Sequence, residues 1–156
     1  MDIANARERI DGYFPDLDAS GYDPKSEQSQ NYNCIAWAAG EDHRRWDPAP
    51  GYYWPPGIER DDRIETLIKV FESLSYTRCQ ELDIAAKSLE PGVRKIAIYG
   101  DIASDAWTHA ARQLPNGKWT SKLGDFEDIE HDTLEGLQGG IYFLVTHIMK
   151  VPALNQ

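Results

Sequence analysis

The chain has 156 residues, 41% hydrophobic and 27% charged. That is ordinary globular usage, enough for one domain across residues 1–156 with a core of its own, and it leaves no low-complexity tract to suggest disorder. Sixteen Lys and Arg against 26 Asp and Glu give a formal charge of −10, which repels phosphate backbones and anionic lipid heads and speaks against nucleic acid or a membrane surface as partner.

No run approaches the roughly eighteen apolar residues of a membrane span, and the N-terminus lacks the apolar core of a signal peptide, so a cytoplasmic protein is expected. Cys34 and Cys79 are far apart in sequence and read as free thiols. Residues 1–12 read as a short amphipathic helix closed by Gly12. The stretch from Tyr13 to Gln30, with Pro15, Gly21 and Pro24 among Asp and Ser, reads as a surface loop. At Asn33 the polar run gives way to Cys34-Ile35-Ala36-Trp37-Ala38-Ala39-Gly40, a short buried helix with Asn33 as N-cap and Gly40 as stop. Cys34 then sits in the first turn, where unpaired N–H groups and the helix dipole favour thiolate over thiol. The position suits a nucleophile, and it equally suits a small buried side chain.

Glu41 to Gly57 holds four prolines with Trp46, Tyr52, Tyr53 and Trp54. This aromatic loop either offers a substrate a stacking surface or is pinned by its own side chains. From Asp61 to Tyr76, Ile64, Leu67, Ile68, Phe71 and Leu74 recur at steps of three and four, the pattern of an amphipathic helix. Cys79 follows in a short extended stretch, and Glu90-Pro91-Gly92 turns into a strand over 94–100. A second strand over 107–114 turns at Pro115-Asn116-Gly117-Lys118 and returns over 119–123, Asn-Gly being a strong hairpin signal. The acidic stretch 125–132 leads into a short helical or loop segment, and Gly139-Gly140 opens a last strand over 141–149. The order predicts an α+β fold, an antiparallel sheet of about four to six strands packed on the Cys34 helix and on a second helix.

A cysteine at Asn33-Cys34 opening a helix, followed downstream by Thr108-His109-Ala110-Ala111 at the start of an Asn-Gly hairpin, resembles the papain-like cysteine hydrolases, especially the compact NlpC/P60 and CHAP type. The likeness spans Gln28 to about Leu123. The chain also looks like bacterial proteins of unknown function that carry a Tyr-Asn-Cys-Ile-Ala-Trp-Ala segment and a His-Ala-Ala-Arg-Gln strand. The resemblance implies a papain-like (NlpC/P60-like) fold and thiol-dependent hydrolysis, or acyl transfer, at an amide of a peptide, protein or peptidoglycan-type substrate. Cys34 would be the nucleophile, His109 the base, Ser121 the group orienting the imidazole, and Gln28 with the Cys34 N–H the oxyanion donors. Tyr32, Trp37 and Trp54 would contact substrate, and neither cofactor nor metal is implied.

The third position departs from the pattern. A two-residue Asn116-Gly117 turn would put Thr120 and Lys122 on the face of His109, so Ser121 needs a bulge to come round. The site is then a dyad, a triad through Ser121, or one completed by an acid from 125–132. Polar Gln30 and Asn31 compete with Gln28 for the oxyanion role. His43, His131 and His147 lack the spacing of zinc ligands. The rival class is a non-catalytic protein-binding module, an immunity or adaptor protein that keeps Cys34 for packing.

Overall fold

The computed structural model describes residues 1–153. In chain order the elements are α1 (Ile3–Tyr13), α2 (Leu17–Ser20), β1 (Tyr22–Pro24), α3 (Cys34–Ala38), α4 (Ile64–Glu72), β2 (Thr77–Arg78), α5 (Ile84–Lys87), β3 (Val93–Asp101), β4 (Ala106–Gln113), β5 (Trp119–Lys122), β6 (Asp128–His131) and β7 (Leu144–Pro152), with a 3-10 turn at Glu135–Leu137 before the last strand. The seven strands form one antiparallel sheet in the order β1-β6-β5-β4-β3-β7-β2. The fold is therefore α+β with an open antiparallel sheet.

Both faces of that sheet are covered, and the central strand shows why. Side chains alternate across a strand, so Ile96 and Ile98 of β3 join Ala110, Met149 and Val151 against α3, α4 and the buried Trp46 and Trp54. Ala97 and Tyr99 join Ala111, Ile148, Trp119 and Ile129 on the other face, against Ala6, Ile10 and Phe14 of the α1 region and Leu134, Leu137 and Tyr142. A strand buried on both sides carries the near-continuous apolar run seen at 96–99.

The elements depart from expectation where tertiary contacts intervene. The α4 helix starts only at Ile64, because Asp62 and Arg63 pair with the sheet: Trp107 N–H donates to Asp62 O (2.8 Å), Arg63 bridges Ala106, and Ile64 N–H donates to Asp105 O (3.2 Å). The acidic stretch holds a strand, β6, and the supposed loop before it holds β1, its edge partner. Asp and Glu have low strand preference, and pairing with β5 supplies what propensity lacks. The last strand begins at Leu144, three residues later than expected, after a turn over 139–143.

The hairpin between β4 and β5 positions the site. Arg112 pairs with Thr120 and Gln113 with Trp119. Leu114 N–H donates to Lys118 O (2.7 Å), so the loop has three residues, Pro115, Asn116 and Gly117, with Gly117 at φ 88°. An odd-length loop shifts the pairing by one residue and reverses which side chains share a face. Ser121, and not Thr120 or Lys122, stands on the face of Ala111 and His109.

Candidate functional site

Cys34 is held where Asn33 puts it. The Asn33 carboxamide oxygen accepts from Ala36 N–H (3.3 Å) and Trp46 N–H (3.0 Å), and its amide donates to Trp46 O (2.8 Å). One side chain thus caps α3 and clamps the aromatic loop beside it. Cys34 itself is 8% exposed, and its thiol is pushed up to about 11, chiefly by burial. The backbone N–H groups of Ala110 and Ile35 and the Arg45 charge pull the other way without prevailing. This reverses the expected preference for thiolate: α3 has only five residues, and the field of so short a helix is outweighed by the loss of water around the sulfur.

His109 lies one residue before Ala110, which packs with Cys34 on the α3 side of the sheet. Gly100 pairs with Trp107 and Tyr99 with His109, so Thr108 is an extra residue, and the bulge sends Trp107 and His109 to opposite faces. Trp107 stacks near Trp54 on the α4 side (centroids 6.4 Å), whereas the His109 ring lies flat on Tyr142 (centroids 4.0 Å, planes 6° apart) and 5.3 Å from the Tyr99 ring. His109 is fully buried, neither of its ring nitrogens has a hydrogen-bond partner, and burial, helped by His131, holds its pKa well below the usual imidazole range. No hydrogen bond joins Cys34 to His109: the thiol packs with Ala110 on the α3 face of the sheet, whereas His109 turns with Ala111 to the face of Tyr99 and Tyr142, so the structure does not bring the expected dyad together.

Ser121 comes round to the His109 face, but its partner is another imidazole. Its hydroxyl lies 2.8 Å from His131 Nε2, and His131 Nδ1 lies 2.9 Å from Thr133 O. A carbonyl can only accept, so Nδ1 carries the proton and Nε2 accepts from Ser121. Burial brings His131 down to about 4, which keeps it neutral. His131 and Trp119 pair across β6 and β5, with Ser121 two residues on along the same face. Its place could have been read from its alternation with Ile129 once residues 128–131 were seen as a strand.

The remaining expected residues are distributed differently. Gln28 is exposed, while Gln30 lines a cavity of about 320 Å³ with Arg45, Tyr52 and Asp125. Tyr32 is buried and donates to Asp128 Oδ2 (2.7 Å). Trp37 is half-buried, donates to Thr120 Oγ1 (2.9 Å) and lies under Arg112. Trp54 is buried and donates to Glu59 O (2.8 Å). All three have the environment of packing residues, and the aromatic loop is pinned by itself: Trp46 meets Tyr53 at 5.0 Å and Arg44 covers Tyr53 at 3.6 Å. Only Tyr52 presents its ring to the cavity.

Two residues of this region gave no signal in sequence. Lys122 is fully buried, donates to Ser29 O (2.7 Å) and Gly124 O (2.6 Å), covers the Tyr32 ring at 4.7 Å and is pushed down to about 8 by burial. It straps the loop before Asn33 to the turn after β5. Tyr142 is the second: its hydroxyl is held well above the usual range by burial, and the Cys34 charge adds to that. Cys79, also a free thiol, lies instead beside a cavity of about 470 Å³ with Lys95, Lys150 and Glu90. Among the described residues no group of three or more His, Cys, Asp or Glu could hold a metal ion, and no helix is long and apolar enough to cross a membrane.

No curated protein and no solved structure matches the chain. A family model does: residues 24–150, from the last residue of β1 through most of β7 and including the Cys34 helix, the hairpin and Tyr142, match the Domain of unknown function (DUF7689), and the protein belongs to that family.

Proposed function

We propose that this protein is a thiol-dependent hydrolase or acyl transferase on a compact papain-like (NlpC/P60-like) plan, acting on an amide bond of a peptide or peptidoglycan-type substrate. The observation that carries the reading is His109: a fully buried imidazole with both nitrogens unpartnered, in the same strand as Ala110, which packs with Cys34 on the opposite face. Leaving a buried polar group unpaired costs about 1–3 kcal/mol, and such groups are retained where a reaction needs them.

In this chemistry His109 must first come round from the opposite face of β4; the thiol proton then passes to it as the sulfur attacks the carbonyl carbon, and backbone N–H groups at Cys34 receive the oxyanion. His109 returns the proton to the leaving amine, giving a thioester on Cys34. Water, or an amine in transfer, then attacks that thioester with His109 again as base and frees the thiol.

The burial of Cys34 and its raised pKa favour a second reading, a non-catalytic protein-binding module in which the thiol only packs. Iodoacetamide labelling read by peptide mass separates the two. For the hydrolase, Cys34 is alkylated in a phase that begins below the free-thiol pKa of about 8.5, His109→Ala slows it and moves it to higher pH, and Cys34→Ser is folded but forms no thioester. Labelling of Cys34 that is as slow in the parent as in His109→Ala, or slower than at Cys79, assigns the protein to the binding module.

A further inference from the structure

For His109 to touch a substrate, something above it must move, and the fold singles out what. The ring covering it belongs to Tyr142, which is buried although its neighbours Ile141, Phe143 and Leu144 are 56%, 46% and 52% exposed. The segment that carries it has few backbone ties, although the Tyr142 ring packs on Phe14 (centroids 5.0 Å) and Val145 N–H donates to Gln138 Oε1 (2.9 Å). None of the backbone N–H groups of residues 139–142 makes a backbone hydrogen bond; Phe143 N–H reaches Gly140 O at 3.3 Å, and the Tyr142 carbonyl accepts from Thr108 Oγ1 at 2.6 Å. Phe143 has φ 63°, a left-handed conformation that costs a bulky residue energy and persists where the surroundings impose it. Gly139 supplies a second positive φ of 78° at the start of the segment.

We infer that residues 139–144 form a lid, with Tyr142 as a plug that closes over His109, and that the structure is the closed state. The purpose of the lid rests on the hydrolase reading, but its motion does not. Few backbone bonds make local opening easy, and the strained Phe143 raises the energy of the closed form. The exposed Ile141, Phe143 and Leu144 offer an arriving chain apolar surface to hold. Opening lifts the Tyr142 ring from the imidazole. Tyr142 acts here as a positioning residue.

The test is acylation of histidines by diethyl pyrocarbonate, followed site by site by mass. Exposed His43 is the reactive reference, and buried His131 reports unfolding. In the parent, His109 should label slowly. In Tyr142→Ala it should label roughly a hundredfold faster while His131 stays protected, since the plug's buried contacts are what hold the lid down. Phe143→Gly removes the strain of the closed form and should slow His109 labelling by about fivefold. If His109 labels no faster in Tyr142→Ala, the lid is refuted. If His131 labels along with it, the variant has unfolded and Phe143→Gly decides: slower labelling of His109 supports the lid, unchanged or faster labelling overturns it. None of these readouts uses the thiol, so the lid can stand while the labelling of Cys34 rejects the hydrolase.

Discussion

Ser121 and His131 show how much rests on single polar side chains inside this sheet. The hydroxyl supplies the one partner of His131 Nε2, and the Thr133 carbonyl fixes the tautomer. Ser121→Ala removes the donor and leaves a buried acceptor unpaired, at a cost of about 1–3 kcal/mol. Urea unfolding should show that loss as a lower midpoint with an unchanged slope; an unchanged midpoint would mean that water replaces the hydroxyl. Asn33 is a comparable case, serving as both helix cap and loop clamp. Asn33→Ala should cost more than the ~1 kcal/mol typical of a cap, because the Trp46 backbone loses its partners at the same time.

At the scale of elements, the hairpin and the bulge decide which side chains meet. Gly100 lies opposite Trp107 at the bulge, and a Cβ there would come 2.8 Å from Ala106 O and 2.9 Å from Ile64 Cδ1. The isoleucine can turn aside but the carbonyl cannot, so Gly100→Ala should destabilise by about 1–3 kcal/mol. A thermal melt checks this, and combining it with Ile64→Val should recover only part of the loss. The helix of residues 64–72 was readable from its spacing alone, since Ile64, Leu67, Ile68 and Phe71 are buried as expected. The hairpin was readable as a hairpin, but its three-residue loop was not. Asn-Gly accommodates more than one loop length, and only the ladder shows that Ser121 lies with His109.

For the whole molecule, the buried histidines set the response to acid. His131 has its pKa lowered to about 4 and His109 well below its usual value, both by burial. In the unfolded chain each takes up a proton near pH 6.5. Below that pH the unfolded state binds more protons than the folded one, so stability falls as pH drops from about 6.5 towards 4. From His131 alone the loss is about 3 kcal/mol across that window. Denaturant midpoints measured between pH 7 and 4.5 should fall steadily, and a His131→Gln variant should flatten the slope. A profile flat down to pH 5 would show that water reaches these rings.

Composition and spacing by themselves determined the α+β class, the helix opening at Cys34 with its Asn33 cap, the amphipathic α4 and the central strands, because each rests on local chemistry: a cap, a 3.6-residue period, a run of β-branched side chains. Tertiary structure alone decided the rest. It paired the acidic stretch into the sheet, turned Trp107 and His109 to opposite faces through one extra residue, and raised the Cys34 pKa where a helix terminus suggested the reverse. Tyr142 could not be picked out from sequence at all. Its ring is buried on His109 only because strands far apart in the chain bring the two together, and burial and register are properties of the packed sheet and not of any segment within it.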